Sequence, residues 1–220
     1  MNVALIVFAG SGTRIHSVVP KQFVKIGNKE MVVYTIEKFN KHPLIDEIVL
    51  VTSKEYLNVV KEFKDKYHLD KITKVVEGGA SRQESVRLGL ESLGCDENDN
   101  VLIHDGDRPL VSEEVIDNTV EYLKVYKAAC PFIYQSSELP EVSNSGRKVA
   151  LGDKPIDIQT PQAFKYGLIL SKHIEHKNEA VLDDVSLVEK DVEVQYFEGE
   201  NINFKVTEDK DLEYLEKLLQ

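Results

Sequence analysis

The chain has few of the features that mark secreted, metal-binding or membrane proteins. It has two cysteines in 220 residues, Cys95 and Cys130, and no tryptophan. The spacing of the two cysteines matches no metal or redox motif, so we expect both thiols to be packing residues in a reducing, cytoplasmic setting. The run VALIVF near the start is too short to span a bilayer, and no positively charged segment precedes it. It therefore predicts neither a signal peptide nor a membrane segment.

Positive charge is also scarce. The chain has 27 Lys and Arg residues against 38 Asp and Glu residues, a formal net charge of −11. Surfaces that bind nucleic acids or anionic membranes need a positive field, so neither is expected as a partner. Any local cluster of Lys and Arg is then informative, because it runs against the overall balance.

Apolar runs rich in β-formers alternate with patterns of helical periodicity. The predicted strands span 2–8, 46–52, 72–76, 99–104, 128–134 and 192–197, and the predicted helices span 31–41, 54–67, 82–94, 113–126 and 208–219. Continuous apolar strands separated by helices indicate a mostly parallel sheet with both faces covered. We therefore predict one α/β domain over residues 1–220, Rossmann-like, with a twisted sheet flanked by helices.

The pattern breaks at 135–159, which is polar and contains Pro140, Asn144-Ser145-Gly146 and Gly152-Asp153. A compact domain rarely carries so long a loop without structure. We interpret the segment as a β-hairpin arm that projects from the sheet and contacts another subunit. A disordered surface loop is the alternative.

The loop after the first strand has the composition of an anion site. Ligands of open α/β sheets bind beyond the carboxyl ends of the strands. Here VALIVF is followed by Ala9 and GSGTR, whose glycines let the backbone approach an oxyanion, and Lys21 follows Pro20 shortly afterwards. Neither a dinucleotide fingerprint nor a P-loop fits, because Ile15 stands where each needs its last glycine.

Three later loops have related compositions. They read GGASRQES at 78–85, HDGDRP at 104–109 and NFKVT at 203–207. Carboxylates at a strand end beside a cationic phosphate pocket suit Mg²⁺, which takes one or two carboxylates together with substrate phosphates. The four loops together therefore predict a pocket for a polyphosphate and Mg²⁺, with Asp105 as the metal-binding carboxylate.

Six ordered motifs carry a resemblance to a known family. They are G-x-G-x-R, P-K-Q-F, G-G-x-x-R-x-x-S-V, H-D-x-x-R-P, Q-T-P-Q-x-F and N-x-K-V-T. In order and spacing they resemble the cytidylyltransferases that act on sugar-alcohol phosphates, which include methylerythritol phosphate and ribitol phosphate enzymes. The resemblance covers nearly the whole chain. It implies the nucleotide-diphospho-sugar transferase type of fold with a projecting β-arm, a homodimer formed through that arm, and Mg²⁺-dependent transfer of CMP from CTP to a phosphomonoester, with release of pyrophosphate.

The resemblance also implies roles for individual residues. Arg14, Lys21 and Lys205 would neutralise the α-phosphate as it becomes five-coordinate. The residues implied around CTP are Phe8, Ala9, Gly10, Ser11, Gly12, Thr13, Gly79, Arg82, Ser85 and Asp105. The acceptor phosphate is already an anion, so the reaction needs positioning and charge neutralisation and no general base.

Motifs on the acceptor side depart from the family pattern. Residues 135–138 read QSSE where the family has a D-T pair, 152–155 read GDKP without the usual arginine, and Leu182 replaces a threonine. We therefore expect a different acceptor, a short alditol phosphate used for cell-surface polysaccharide, held by Arg108, Asp107, Lys154 and Asp183. The alternatives are a 2-C-methyl-D-erythritol 4-phosphate cytidylyltransferase of isoprenoid synthesis and an inactive nucleotide-binding subunit.

Overall fold

A nine-stranded mixed sheet forms the centre of the described part of the chain. The structure is a computed structural model and describes residues 1–10, 15–135, 147–177, 179, 181 and 183–219. The strands of this sheet are β1 (Asn2–Val7), β4 (Glu47–Thr52), β5 (Ile72–Glu77), β6 (Asn100–Asp105), β7 (Ala128–Tyr134), β8 (Lys148–Leu151), β9 (Lys154–Ile158), β10 (Gln162–Lys165) and β11 (Val194–Glu198), and a separate small hairpin joins β2 (Lys25–Ile26) to β3 (Lys29–Glu30). The order is β5-β4-β1-β6-β10-β7-β9-β8, with β11 also paired to β7.

Helices cover both faces of this sheet. They are α1 (Met31–Lys41), α2 (Leu57–Tyr67), α3 (Arg82–Glu91), α4 (Glu113–Tyr122), α5 (Tyr166–Glu175) and α6 (Asp209–Leu219), with short 3₁₀ turns at Lys21–Phe23, Lys54–Tyr56 and Val185–Leu187. One face of the sheet packs with α1, α2 and α4, and the other packs with α3 and α5. No helix in the described ranges is long and apolar enough to cross a bilayer.

The alternation of buried residues along β1 shows why the central strands are apolar throughout. Ala4 and Ile6 belong to the core on one face, whereas Val3, Leu5 and Val7 belong to the core on the other. Strands β5, β4, β1 and β6 are parallel neighbours. Strand β10 is antiparallel to β6 and β7, and β9 is antiparallel to β7 and β8. The predicted mostly parallel, helix-flanked α/β class is confirmed.

Two helix starts follow their local sequence signals. Ser81 is the N-cap of α3, where its side chain accepts a hydrogen bond from the backbone N–H of Glu84 at 3.0 Å. Ser112 caps α4 in the same way through the N–H of Val115 at 3.1 Å. Such caps satisfy backbone donors that a helix cannot pair internally.

The stretch 162–175 departs from the prediction, which placed no strand or helix there. Strand β10 lies antiparallel between β6 and β7, and α5 begins at the next residue. Only Ala163 and Phe164 in β10 are apolar, so the strand is too short to show a period of two. Its position is decided by pairing on both sides, which no local pattern encodes.

The described half of the predicted arm is an antiparallel hairpin of β8 and β9. Gly152, at φ 62°, lies in its turn, and Phe132 and Tyr134 of β7 pair with Ile158 and Ile156 of β9. Residues 136–146, the other half of the predicted arm, lie outside the described residues.

Candidate active site

A cavity of about 560 Å³ opens at the carboxyl ends of β1 and β6. Parallel strands end at one edge of a sheet, so the loops after them converge there. Of the predicted residues, the cavity brings together Phe8, Ala9, Gly10, Lys21, Gly79, Arg82, Ser85, Asp105, Asp107 and Lys205. The predicted residues Ser11, Gly12, Thr13 and Arg14 lie outside the described residues, as does Leu182.

Gln22 ties the first loop to the turn that carries Lys21. Its amide nitrogen donates to the backbone carbonyls of Phe8 at 2.9 Å and Gly10 at 2.7 Å. The side chain is buried, and the ring of Phe8 packs edge-on against Phe23 with centroids 6.1 Å apart. Gln22 thus holds the end of β1 in register with the 3₁₀ turn, a role that the P-K-Q-F motif alone did not reveal.

The hydroxyl of Ser85 shapes the glycine loop after β5. It accepts from the N–H of Gly79 at 3.1 Å and donates to the carbonyl of Ser81 at 2.8 Å. A Cβ added to Gly78 would lie 2.4 Å from the Cβ of Ala9, so the two strand-end loops touch where only glycine fits. Ser85 was predicted to contact the nucleotide, and that contact stays a prediction.

Asp105 is the centre of a group of charges at the base of the cavity. Its Oδ1 lies 3.1 Å from Arg82 Nε, and its Oδ2 lies 3.0 Å from Lys205 Nζ and 3.7 Å from Arg108 Nε. Burial alone would raise the pKa of Asp105, but the charges of Lys205, Arg82 and Arg108 outweigh burial and hold this pKa well below its usual range. Asp105 is therefore ionised and fixes three cations.

The two predicted catalytic lysines meet at Asp107. Lys21 Nζ donates to the carbonyl of Val206 at 2.6 Å and lies 2.5 Å from Asp107 Oδ2. Lys205 Nζ lies 3.8 Å from the other oxygen, Asp107 Oδ1. Residues almost two hundred positions apart in the chain thus place two ammonium groups around one carboxylate.

Arg82 joins the cavity to a buried pair on the far side. Its Nη2 lies 2.8 Å from Asp184 Oδ2, and Asp184 Oδ1 lies 3.1 Å from His173 Nε2. Asp184 and His173 have no exposed surface. Burial acts to raise the pKa of Asp184. The charge of Arg82 and the contact with His173 lower this pKa by more than burial raises it, so the net shift is downward. Neither Asp184 nor His173 was among the predicted site residues.

His104 is a neutral buried link between the loops. Its Nε2 lies 3.1 Å from the carbonyl oxygen of Arg108, which can only accept, so Nε2 carries the proton. Nδ1 then accepts from the hydroxyl of Thr160 at 3.0 Å, and that hydroxyl oxygen accepts from the N–H of Asp105 at 3.2 Å. Burial lowers the pKa of His104 to about 4. The imidazole orients Asp105, and its buried position leaves it no path to act as a base in the cavity.

The predicted acceptor residues other than Asp107 do not line the cavity. Arg108 is buried behind Asp105 and donates from Nη1 to the carbonyl of Asn203 at 2.7 Å. Asp183 lies 2.7 Å from Arg147, and Lys154 lies over the ring of Tyr134 at 5.1 Å from its centroid. Their acceptor roles stay predictions, since these side chains are not gathered around one pocket in the described part of the chain.

The donor set suits a metal that arrives with the substrate. Among the described residues no three His, Cys, Asp or Glu side chains form a group that could hold a metal by themselves. Asp105 has the carboxylate oxygens that Mg²⁺ prefers, and the cavity has room for phosphates to supply the remaining ligands. Lysines, an arginine and glycine backbone around one cavity can bind a polyphosphate and neutralise charge that forms on it.

Comparison with known proteins points in one direction. The family model described as "IspD: 2-C-methyl-D-erythritol 4-phosphate cytidylyltransferase" matches residues 2–220. Curated enzymes of the same name from Clostridium botulinum (strain ATCC 19397 / Type A) and Clostridium novyi (strain NT) are both 37% identical to this chain, over its full length and 97% and 96% of theirs. The solved 4-diphosphocytidyl-2C-methyl-D-erythritol synthase from Anaerococcus prevotii DSM 20548 superposes with a TM-score of 0.79 at 30% identity, covering 100% of this chain and 96% of its own.

Proposed function

The chain belongs to the 2-C-methyl-D-erythritol 4-phosphate cytidylyltransferase family, and we propose that it transfers CMP from CTP to 2-C-methyl-D-erythritol 4-phosphate, releasing pyrophosphate. The membership confirms the resemblance carried by the six motifs and makes the chain a nucleotidyltransferase. The alditol phosphate favoured by the acceptor-side departures has less support than the methylerythritol alternative, because the matched relatives carry the latter name. The observation that carries the proposal is the meeting of Lys21, Lys205 and Arg82 in one cavity.

The reaction needs two anions to approach each other. The phosphate oxygen of the acceptor attacks the α-phosphorus of CTP, the bond to the bridging oxygen breaks, and pyrophosphate leaves with the electron pair. Lys21 and Lys205 reach this cavity from opposite ends of the chain and supply positive charge to the α-phosphate as it becomes five-coordinate. The acceptor phosphate is already ionised, so no side chain has to remove a proton from it.

Mg²⁺ is part of this proposal. Asp105 would hold it together with the phosphates of CTP, and the ion would supply charge neutralisation and orientation of the leaving pyrophosphate. Lys205 now lies 3.0 Å from Asp105 Oδ2 and would share that oxygen or give it up. Activity should therefore be lost in EDTA and return when Mg²⁺ is added.

A panel of acceptors tests the proposal. The protein is incubated with CTP, Mg²⁺ and either 2-C-methyl-D-erythritol 4-phosphate, ribitol 5-phosphate or a glycerol phosphate, and pyrophosphate release is followed. We expect methylerythritol phosphate to have the highest kcat/KM by tenfold or more. A comparable lead for ribitol 5-phosphate would replace the proposed acceptor by an alditol phosphate and restore the cell-surface assignment. The same assay with UTP, GTP and ATP checks the choice of nucleotide.

We also propose a homodimer through the arm. Strand β8 ends the order of the main sheet in the described ranges, and Leu151 beside its turn is 39% exposed. An edge strand has backbone groups that can pair with a second chain. Deleting 138–150 should give a monomer by sedimentation that binds CTP but has lost turnover. A fully active monomer would contradict the dimer and its role in the acceptor site.

A further inference from the structure

The ammonium groups proposed to bind phosphate already have an anionic partner within the chain. Lys21 Nζ lies 2.5 Å from one oxygen of Asp107, and Lys205 Nζ lies 3.8 Å from the other. The side chain of Asp107 is 13% exposed and lines the same cavity. A triphosphate that binds these lysines must therefore share them with this carboxylate or displace it.

We propose that Asp107 is an internal counter-anion that occupies Lys21 and Lys205 when no nucleotide is bound and competes with the triphosphate for them. This inference rests on the proposed function, since it takes the two lysines to be the phosphate-binding cations. In this inference Asp107 acts on the binding of the nucleotide. The acceptor contact predicted for Asp107 from the motif is a different role.

The backbone shows that the carboxylate charge is not needed to build the loop. The N–H of Val206 donates to the carbonyl of Asp107 at 2.9 Å, and the carbonyl of Val206 accepts from Lys21 Nζ at 2.6 Å. Neither bond uses the side chain of Asp107, so removing its charge leaves the donor and the acceptor of each in place. Asp107 Oδ1 is itself buried without a hydrogen-bond partner. That arrangement fits a movable counter-charge better than a structural anchor, because a buried anchor normally has its polar atoms satisfied.

The neighbouring carboxylate serves as the contrast. Asp105 is held by three cations at once and is hydrogen-bonded on both oxygens, to Arg82 and to Lys205. Among the described residues that line the cavity, three cations face two carboxylates: Lys21, Lys205 and Arg82 against Asp105 and Asp107. Removing the charge of Asp107 doubles the net positive charge of this group, from one to two, and leaves the anchoring of Asp105 in place. Anion affinity should rise accordingly.

The test compares Asp107→Asn with the unchanged protein. Asparagine keeps the size of the side chain and removes its charge. We expect the Kd for CTP, measured by titration calorimetry, to fall about tenfold, the size of one charge-assisted contact. The Kd for inorganic triphosphate should fall by a similar factor, and pyrophosphate should become a stronger inhibitor. Asp107→Glu retains the charge and should stay within about threefold of the unchanged protein in both affinities.

Asp70→Asn is the matched control, because it removes the same charge from an exposed position outside the cavity. It should leave both affinities unchanged and so separate a local effect from one of net charge. A Kd that rises or stays within twofold in Asp107→Asn overturns the inference. So does a failure of CTP and triphosphate to bind any variant.

The measurements separate this inference from the proposed function. If the unchanged protein binds CTP but does not use methylerythritol phosphate, the proposed acceptor fails while the comparison of Asp107 variants keeps its meaning. If turnover is as proposed but Asp107→Asn binds CTP no more tightly, the counter-anion role alone is wrong. Melting temperatures of all variants show whether a change in affinity accompanies a change in folding.

Discussion

Two neighbouring aspartates, Asp183 and Asp184, pair with different arginines, one beside the cavity and one at the hairpin of β8 and β9. Asp184 pairs with Arg82, which also pairs with Asp105 in the cavity. Asp183 pairs with Arg147 at the start of the hairpin. In each region one arginine bridges two carboxylates, but Arg82 lines the cavity and Arg147 does not. The cavity thus gathers charges from several loops, whereas Arg147 and its two carboxylates pair with one another outside the cavity.

The pKa values of the two aspartates show how the regions differ physically. Burial raises the pKa of Asp183, and the charge of Arg147, which Glu189 shares, does not offset it. For Asp184 burial also acts upward, but Arg82 and His173 together prevail and its pKa falls. A charge in the interior is stable only where its partners outweigh the loss of water. The partners of Asp184 outweigh its loss of water, whereas those of Asp183 at the hairpin offset only part of it.

The largest effect is expected from the lysines of the cavity. Lys21→Ala and Lys205→Ala should each lower kcat by about 10²–10³, the usual effect of removing one preorganised donor at a charged transition state. Both variants should fold, and Lys205→Ala should change the melting temperature little because Asp105 keeps Arg82 and Arg108. Lys21→Ala should lower it, because the buried lysine leaves Asp107 and the carbonyl of Val206 without their partner. Lys61→Ala on the exposed face of α2, outside the cavity, is the control and should keep its kcat. A near-normal kcat in either cavity variant would remove that lysine from the proposed mechanism.

Acid should lower the free energy of unfolding through the protonation of His104. Its pKa is about 4 in the folded chain against 6.5 as the ordinary value. Between these two values the imidazole is protonated in the unfolded chain and neutral in the folded chain. The contribution of His104 to stability is therefore present above about pH 6.5 and is lost as the pH falls toward 4. At about 1.4 kcal/mol per pH unit, the free energy of unfolding should drop by about 2 kcal/mol between pH 7 and pH 5 from this group.

Urea unfolding at several pH values measures that loss. In His104→Gln the dependence over this range should be shallower by the same amount, since glutamine does not titrate. His68→Asn, at an exposed position after α2, should keep the slope of the unchanged protein. Equal slopes for the unchanged protein and His104→Gln would show that His104 is not held neutral.

Substituting Asp183 and Asp184 one at a time tests whether the cavity and the hairpin are separate regions. Asp184→Asn removes the charge that holds Arg82, so the KM for CTP should rise about tenfold, with a smaller change in kcat. Asp183→Asn should change the KM for CTP less than twofold, because its partner Arg147 lies outside the cavity lining. Steady-state kinetics on the two variants decides between them. If both raise the KM equally, the two regions are not separate.

The smallest effect on the nucleotide is expected from the hairpin arginine. Arg147→Met removes the bridge to Asp183 and Glu189 and should lower the free energy of unfolding by about 3 kcal/mol, since it leaves a buried carboxylate without its partner. The affinity for CTP should stay within twofold by calorimetry. A loss of CTP affinity as large as that of Asp184→Asn would mean that the hairpin shapes the nucleotide site.

Local signals predicted most of the longer elements well and missed two pairs, β10 with α5 and the short hairpin of β2 and β3. Helix α1 at 31–41 and strand β7 at 128–134 have the predicted bounds, because each has a clear apolar period over many residues. Strand β10 and helix α5 were missed. A strand of four residues shows no period, and its helix follows without a turn. The cations and glycines that line the cavity are conspicuous in polar loops. Gln22 and Thr160 lie in the recognised motifs, but their supporting contacts are not visible in them, and no local pattern marks His173 or Asp184.

By itself the sequence determined the alternation of strands and helices, the loops at the strand ends and the cations in them, because these depend on near neighbours and on motif order. Only the tertiary structure decided which charge pairs with which. Lys205 meets Asp105 across 100 positions, and Lys21 meets the carbonyl of Val206 across 185. Such contacts exist because parallel strands bring distant loops to one edge, where each buried charge needs a partner.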